Sequence, residues 1–257
     1  MEGLNSMTLT QTYQNKIQQI IAEIVTGEQE RIQKAAAILA DAIIADRLVH
    51  VFGAGGHSAI AAMEIFYRAG GLVQVNPIFP PGMNVIYSHP TMARLAGTGK
   101  FILNFYEVNK GDPLIVVNFY GLNPCAVDVA LEGKKRGVNL ITVNAHQFAA
   151  KVPRDFRWRH PSKKNINELA DVAIDNHVPM PDAVLELEGI EERVSATATI
   201  ATCFALNCLM AETAQNLVKR GHKPDIWLSN NIPGGDEHNE RFIEAYRHRI
   251  HHLYPVS

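Results

Sequence analysis

The stretch Leu48-Val49-His50-Val51-Phe52-Gly53-Ala54-Gly55-Gly56-His57-Ser58 decides the fold. It reads as an apolar run, a glycine-rich turn that closes on a hydroxyl, and then a helix predicted over residues 59–69. β-branched and apolar residues bounded by glycine suit a short strand buried on both faces of a parallel sheet. Gly53, Gly55 and Gly56 permit a tight reversal and leave bare backbone that a ligand can approach. The helix that follows presents unpaired N–H groups and the positive end of its dipole to the same space. Strand, glycine loop and helix N-terminus together make an anion site, with phosphate the usual occupant. The bland alternative is a tight strand-to-helix turn with no ligand. A dinucleotide fingerprint is disfavoured. Ser58 stands where the third glycine belongs, and residues 73–79, about 20 positions on, hold no carboxylate for a ribose.

The bulk composition narrows the class. A chain of 257 residues has room for one large α/β domain, or a domain with a helical appendage. Hydrophobic residues at 47% and charged residues at 19% allow a substantial core. The formal net charge of −2 argues against bulk attraction to nucleic acid or anionic membranes. Cys125, Cys203 and Cys208 form no CxxC pair, and their odd number suits a reducing, cytoplasmic setting. The opening residues do not read as a basic stretch followed by an apolar one, so secretion is not expected. Residues 194–211 are uncharged and long enough to be weighed as a membrane span. Ser195, Thr197, Thr199, Thr202 and Asn207 put too many polar groups there for lipid on all sides. A buried helix at a subunit interface is the better reading.

On either side of that stretch the chain divides into short elements. Residues 1–7 read as disordered. Ile17, Ile20, Ile21 and Ile24 repeat at helical spacing over residues 13–25, and Ile32, Ala36, Leu39 and Ile43 form a stripe over residues 27–46. Thr26 with Gln29 resembles a capping box between the two helices. Such a hairpin is unstable alone and must pack on the main body or a second subunit. After the first helix of the core, residues 72–75 read as a second strand and residues 76–82 as a loop. Residues 90–108 carry helix-forming content broken at Gly97-Thr98-Gly99. Residues 114–118 are the clearest buried strand, followed by a loop and a helix opened by Pro124 and ended by Gly137. Residues 139–144 form the next strand, residues 170–176 an edge strand, and residues 194–220 a long final helix. This alternation implies βαβ units and a parallel sheet with helices on both faces.

In such a sheet the ligand sits at the carboxyl ends of the strands, where the loops at residues 53–58 and 118–124 both enter helices. At this point the sequence resembles the sugar isomerase (SIS) family. The likeness rests on the helical hairpin, the Gly-x-Gly loop closing on Ser58, the Lys110-Gly111-Asp112 turn before a strand, and a second loop before a helix. It is most similar to bacterial SIS-domain proteins related to phosphoheptose isomerase. Glu64-Ile65-Phe66-Tyr67-Arg68-Ala69-Gly70-Gly71 and Pro233-Gly234-Gly235-Asp236-Glu237-His238-Asn239 carry that closer likeness. The resemblance implies a three-layer α/β/α, flavodoxin-like sheet of five parallel strands, a homodimer or homotetramer, and recognition of a phosphosugar without cofactor or metal. It divides the chain into a hairpin (residues 1–46), an SIS domain (47–221) and a C-terminal extension (222–257).

The second loop departs from the family. Where Ser-x-Ser-Gly and a further hydroxyl are usual, this chain has Asn118-Phe119-Tyr120-Gly121-Leu122-Asn123-Pro124. Asn118, Tyr120 and Asn123 remain donors beside Gly121, but the ring of hydroxyls is gone. The binding set expected is therefore Gly53, Gly55, Gly56, His57, Ser58, Asn118, Tyr120, Gly121 and Asn123. Aldose–ketose isomerisation needs a base to move a proton between C1 and C2 and an acid to open the ring. Glu64, in an apolar setting, is a candidate base, against a plain ion pair with Arg68. His57 is a candidate acid or phosphate donor, against a loop histidine with no chemical role. Glu212 is a candidate base in the final helix, against a pairing with Lys219. His238 reads as an exposed turn or a group reaching a neighbouring subunit. Ser195, Thr199 and Thr202 form a hydroxyl stripe that lines the pocket or bonds its own carbonyls. His248, His251 and His252 suit a helix C-terminus better than a metal. The basic residues 151–164 suit a solvated loop, or a flap over an anionic sugar, better than a nucleic-acid patch. The readings that remain are a cofactor-free sugar-phosphate isomerase working through an enediol, a non-catalytic sensor of a sugar derivative, and an amino-sugar phosphate etherase or lyase.

Overall fold

Five parallel strands in the order β2-β1-β3-β4-β5 run through the centre of the molecule. The computed structural model describes residues 7–81 and 92–253. The chain opens with α1 (Leu9–Gly27) and α2 (Gln29–Ile44). It continues through β1 (Val49–Gly53), α3 (Gly56–Glu64), β2 (Val75–Ile78) and α4 (Gly99–Phe105). Next come β3 (Pro113–Val117), α5 (Pro124–Arg136), β4 (Asn139–Asn144), α6 (His146–Lys151) and β5 (Val172–Asp175). A short antiparallel pair, β6 (Ala183–Leu185) and β7 (Val194–Ala196), leads into α7 (Ala198–Lys219), and α8 (Gly235–Tyr246) follows. The expected three-layer α/β/α sheet with its N-terminal helical hairpin is therefore present.

Strand periodicity divides the core into two layers. Val49, Val51, Ile115, Val117, Ile141 and Val143 face α1, α2, α3 and α7 in one buried cluster. Phe52, Leu114, Val116 and Leu140 face α4 and α5 in another. The hairpin packs on this body through Ile20, Ile24, Ile32, Leu39 and Ile43. At the amino ends of β1 and β3, the Lys-Gly-Asp turn is a structural tie. Buried Asp112 accepts from Arg47 at 2.8 Å and from the Asn109 N–H at 2.8 Å, with His50 Nε2 at 3.6 Å. Burial alone would raise its carboxyl, but the His50, Asn109 and Arg47 contacts hold it below the ordinary value.

Several boundaries differ from the sequence reading. The capping box is Thr8 with Gln11, while Thr26 lies inside α1 with its hydroxyl donating to the Ala22 carbonyl. α3 stops at Glu64 instead of running to Ala69, because residues 70–73 are pulled into pairing with the C-terminal segment. The Gly70 N–H donates to the Trp227 carbonyl, the Trp227 N–H to Gly71, and the Val73 N–H to Asp225. Strand β2 consequently starts at Val75 and includes Asn76-Pro77, residues that composition assigned to a loop. Pro77 is tolerated because β2 is the edge of the sheet, where a missing N–H breaks no ladder. The final helix begins at Ala198, since Val194–Ala196 is drawn into β7. The tail holds α8, whose His238 is not in a turn but donates from Nε2 to the Ile226 carbonyl at 2.9 Å. Residues 1–6, 82–91 and 254–257 of the segments named above lie outside the described residues. No helix among the described residues is long and apolar enough to cross a membrane.

Glu28 alone separates α1 from α2 and is buried. One carboxylate oxygen accepts from Arg31 at 2.8 Å and contacts His177 Nε2 at 3.3 Å; the other accepts the Asp175 N–H at 3.0 Å. Burial pushes this carboxyl up, yet the His177, Asp175 and Arg31 bonds prevail and hold it below its ordinary value. The Glu28 bond raises His177 in turn, against its burial. The pair thus tethers the hairpin to the carboxyl end of β5. A depressed carboxylate contributes stability that is lost as pH falls through its folded pKa, and a raised histidine contributes stability that is lost as pH rises through its own. Glu28→Gln is expected to lower the unfolding free energy by about 2–3 kcal/mol. The gap between wild type and variant should be widest from about pH 4.5 to 6.5 and narrow on both sides, as denaturant titration across pH will show.

Candidate functional site

The switch point of this sheet lies between β1 and β3, whose helices leave toward opposite faces. β1 pairs with β3 from His50↔Leu114 to Gly53↔Val117, so the two exit loops begin side by side. Their backbone groups must find partners beyond the ladder. The Asn118 side chain supplies three: Nδ2 donates to the Ala54 carbonyl at 3.1 Å, and Oδ1 accepts from the Leu122 and Asn123 N–H groups at 3.1 and 3.4 Å. Ser58 Oγ accepts the Phe119 N–H at 3.3 Å, tying α3 to the second loop. Ser58 and Asn118 are both buried.

Two of the expected glycines serve this closeness and not a ligand directly. A Cβ on Gly53 would stand 2.2 Å from the Ser58 carbonyl oxygen. Gly121 has φ +70°, and a Cβ there would meet Asn144 Nδ2 at 2.5 Å. Neither residue lines the cavity that the two loops enclose.

That cavity has a volume of about 260 Å³. Gly55, Gly56, His57 and Ser58 bound it from the first loop, and Asn118, Phe119, Tyr120 and Asn123 from the second. Asp182 and Thr199 close it from the segment around α7. Gly55 is the N-cap residue of α3, which has no side-chain cap, and its first turn faces this space; Asn123, the N-cap residue of α5, reaches the cavity while its own N–H is taken by Asn118 Oδ1. No lysine or arginine is among the described residues that line it. The groups available to an anion here are therefore N–H groups and a helix dipole, not cations. Tyr120 stacks on Phe148 with centroids 4.2 Å apart. Burial, and then the Asp182 charge, push its phenol above the ordinary value, so it is a donor at neutral pH.

The other candidates lie elsewhere. Glu64, at the last position of α3, pairs with Arg68 at 3.2 Å and lines a separate depression with Asn207 and Met210 of α7. Its charge, added to burial, pushes the Cys203 thiol up to about 11. Glu212 stands 13 residues beyond Thr199 on α7, about 20 Å along the helix, and does not pair with Lys219. His57, Glu64 and Glu212 therefore do not meet. The hydroxyl stripe is split: Ser195 lies in β7, Thr199 lines the cavity, and Thr202 is buried, accepting from Asn176 at 3.0 Å. His251 and His252 lie beyond α8 and stack on Phe105 and Tyr106.

Sequence reasoning missed Asp182. Its Oδ1 accepts the Thr197 N–H at 2.8 Å, the Ala198 N–H at 2.9 Å and the Thr197 hydroxyl at 3.0 Å, capping α7 from 15 residues upstream. A cap supplied from that distance leaves no local signature, unlike one at the N-cap position itself. In the basic segment, Arg159 is buried and donates to the Ala149, Val152 and Pro153 carbonyls, so it braces the loop from within.

A family model for the SIS domain matches residues 12–145. A UPF0309 protein of Caldanaerobacter subterraneus subsp. tengcongensis is 36% identical over 247 residues, which is 94% of this chain and 98% of that one. A UPF0309 protein of Shouchella clausii is 31% identical over 251 residues, 96% of this chain and all of that one. Among solved structures, a phosphoheptose isomerase from Francisella tularensis superimposes with a TM-score of 0.50 at 13% identity, covering 81% of this chain and 100% of that one. That likeness is one of fold.

The joining of the two loops can be tested on stability. Asn118→Ala leaves one carbonyl and two N–H groups without their partner and is expected to cost about 2–4 kcal/mol in chemical unfolding. Ser58→Ala, which removes one acceptor, is expected to cost about 1 kcal/mol.

Proposed function

We propose, since the chain belongs to the SIS-domain family and stands among the UPF0309 proteins, that it binds a phosphorylated or otherwise anionic sugar between the β1 and β3 loops and interconverts its aldose and ketose forms. The observation that carries this reading is the convergence of the two strand-exit loops on one cavity, with the uncapped first turn of α3 facing it. The phosphate takes the N–H groups of Gly56, His57 and Ser58, with the Asn123 amide opposite. The sugar then extends toward Tyr120, Asp182 and Thr199, where the Tyr120 phenol donates to a sugar oxygen.

Isomerisation through an enediol removes the proton on C2 as the C1 carbonyl oxygen gains one, then removes the C2 hydroxyl proton as its electron pair forms the new carbonyl and a proton returns to C1. Among the described residues lining the cavity, Asp182 supplies the only carboxylate. Its Oδ1 is occupied by the α7 cap, and Oδ2 takes the role of base. His57, exposed at the rim, is the acid for ring opening. This moves the base from Glu64 and Glu212, which do not line the cavity. An assembly of two or four copies belongs to the same proposal, supported by the exposed apolar side chains of Met63, Ile200 and Val218 on α3 and α7. Light scattering on the purified chain checks it, and a monomer would rule it out.

A second reading, binding without turnover, is favoured by the structural role that Asp182 already fills and by the missing hydroxyls of the second loop. One experiment separates the two. A thermal-shift panel of hexose and heptose phosphates is expected to yield a stabiliser, and deuterium at its C2 should wash out in the presence of the protein. Asp182→Asn keeps an oxygen acceptor at the α7 cap and should retain binding while losing exchange by at least a hundredfold. Stabilisation without exchange supports the sensor; no stabilisation across the panel ends both readings.

A further inference from the structure

A second cavity of about 480 Å³ opens beside the first and shares Tyr120 and Asn123 with it. Its character is different. Leu122, Phe148, Val152, Phe156, Trp158 and Met180 make its walls. Leu122 and Val152 are buried, whereas Phe156 and Met180 remain 43% and 46% exposed. Trp158 is held by flanking cations, with the Arg94 guanidinium 4.1 Å and the Arg157 guanidinium 4.8 Å from its ring. On the side toward the first cavity, the Tyr120 ring is held by its stack on Phe148. The result is a concave apolar chamber with preset aromatic walls, bordering a polar cavity across Tyr120 and Asn123.

A bare monosaccharide phosphate offers polar groups on every side and gains little from such walls. Aromatic surface left open to water is unfavourable unless a ligand or partner covers it. Apolar walls beside a few convergent polar groups are the ordinary construction of a small-molecule site, whereas an interface between protein copies is broad and shallow. We infer that the sugar derivative taken by this protein carries an apolar acyl or aryl substituent, which fills the chamber bounded by Phe148, Phe156 and Trp158 while the phosphate and sugar ring occupy the cavity at Gly55–Ser58. The inference rests on the proposed sugar-phosphate site and names the substrate class for it. It also accounts for the basic segment of residues 151–164, whose aromatic side chains form the chamber and whose arginines brace them.

The test compares glucosamine 6-phosphate with its N-benzoyl derivative on the full chain, by calorimetry and by tryptophan emission. The chain has two tryptophans, and Trp227 is buried against Phe242 of α8, so a change on binding reports Trp158. The benzoyl compound is expected to bind at least tenfold more tightly and to alter the emission. Phe156→Ser should abolish that gain while leaving affinity for the unsubstituted compound within twofold, and Phe156→Leu should restore part of it. Trp158→Phe should remove the emission change. Equal affinity for both compounds overturns the inference and leaves the sugar-phosphate reading standing. A gain that survives Phe156→Ser overturns it as well, because the benzoyl group then lies elsewhere. Binding of neither compound overturns the inference together with the reading beneath it. Phe156→Ser converting an oligomer to a monomer in light scattering assigns the chamber to a second copy and also overturns it.

Discussion

Two parallel strands that end side by side leave their exit loops with more backbone donors and acceptors than a ladder can satisfy, and the site depends on how those groups are paired. Asn118 resolves most of it. One amide accepts two N–H groups of its own loop and donates to the carbonyl of the other. Ser58 adds the reverse link from α3 to Phe119. The loops approach closely enough for this only because Gly53 and Gly121 carry no side chain where one would strike Ser58 and Asn144. Removing water from these polar groups is tolerable because nearly all of them find one another.

The same pairing gives the second loop its hydrogen bonds without a ring of hydroxyls. Asn118 is committed to the backbone, so the donors that face the cavity are others: the uncapped first turn of α3, the Asn123 amide and the Tyr120 phenol. These are fixed dipoles rather than mobile cations. An anion bound as proposed would be held by geometry and would suffer less from salt screening than at a surface arginine. Asp182 joins the cavity through a different requirement, the cap of α7, and the base proposed for it depends on the one oxygen that capping leaves over.

The elements farthest from the site serve to hold it still. Asp112 joins the amino ends of β1 and β3, and Glu28 with His177 ties the hairpin to the carboxyl end of β5. Both are buried carboxylates held charged by several hydrogen bonds, an arrangement that loses several kcal/mol when one partner is removed. Between them the sheet is tied at both ends.

Where chemistry and spacing act over a few residues, the primary sequence was sufficient. The buried runs of β1, β3 and β4, the glycine loop with its helix, Pro124 at the start of α5 and the helical hairpin were all legible, because periodicity and turn residues act locally. The parallel sheet followed from their alternation. Three outcomes needed the tertiary structure. α3 ends at Glu64 because residues 70–73 pair with a segment more than 150 positions away, an interaction no local window contains. Glu64 and Glu212 fall outside the cavity because a helix of fixed rise carries each away from the loops. Asp182 enters the site region from a loop with no local signal, and Phe156 and Trp158 from the basic segment whose charge stood out but whose aromatic contacts only packing decides. The sequence by itself determined the layers and the two corners that face each other; which side chains fill the space between them was decided by contacts between residues distant in the chain.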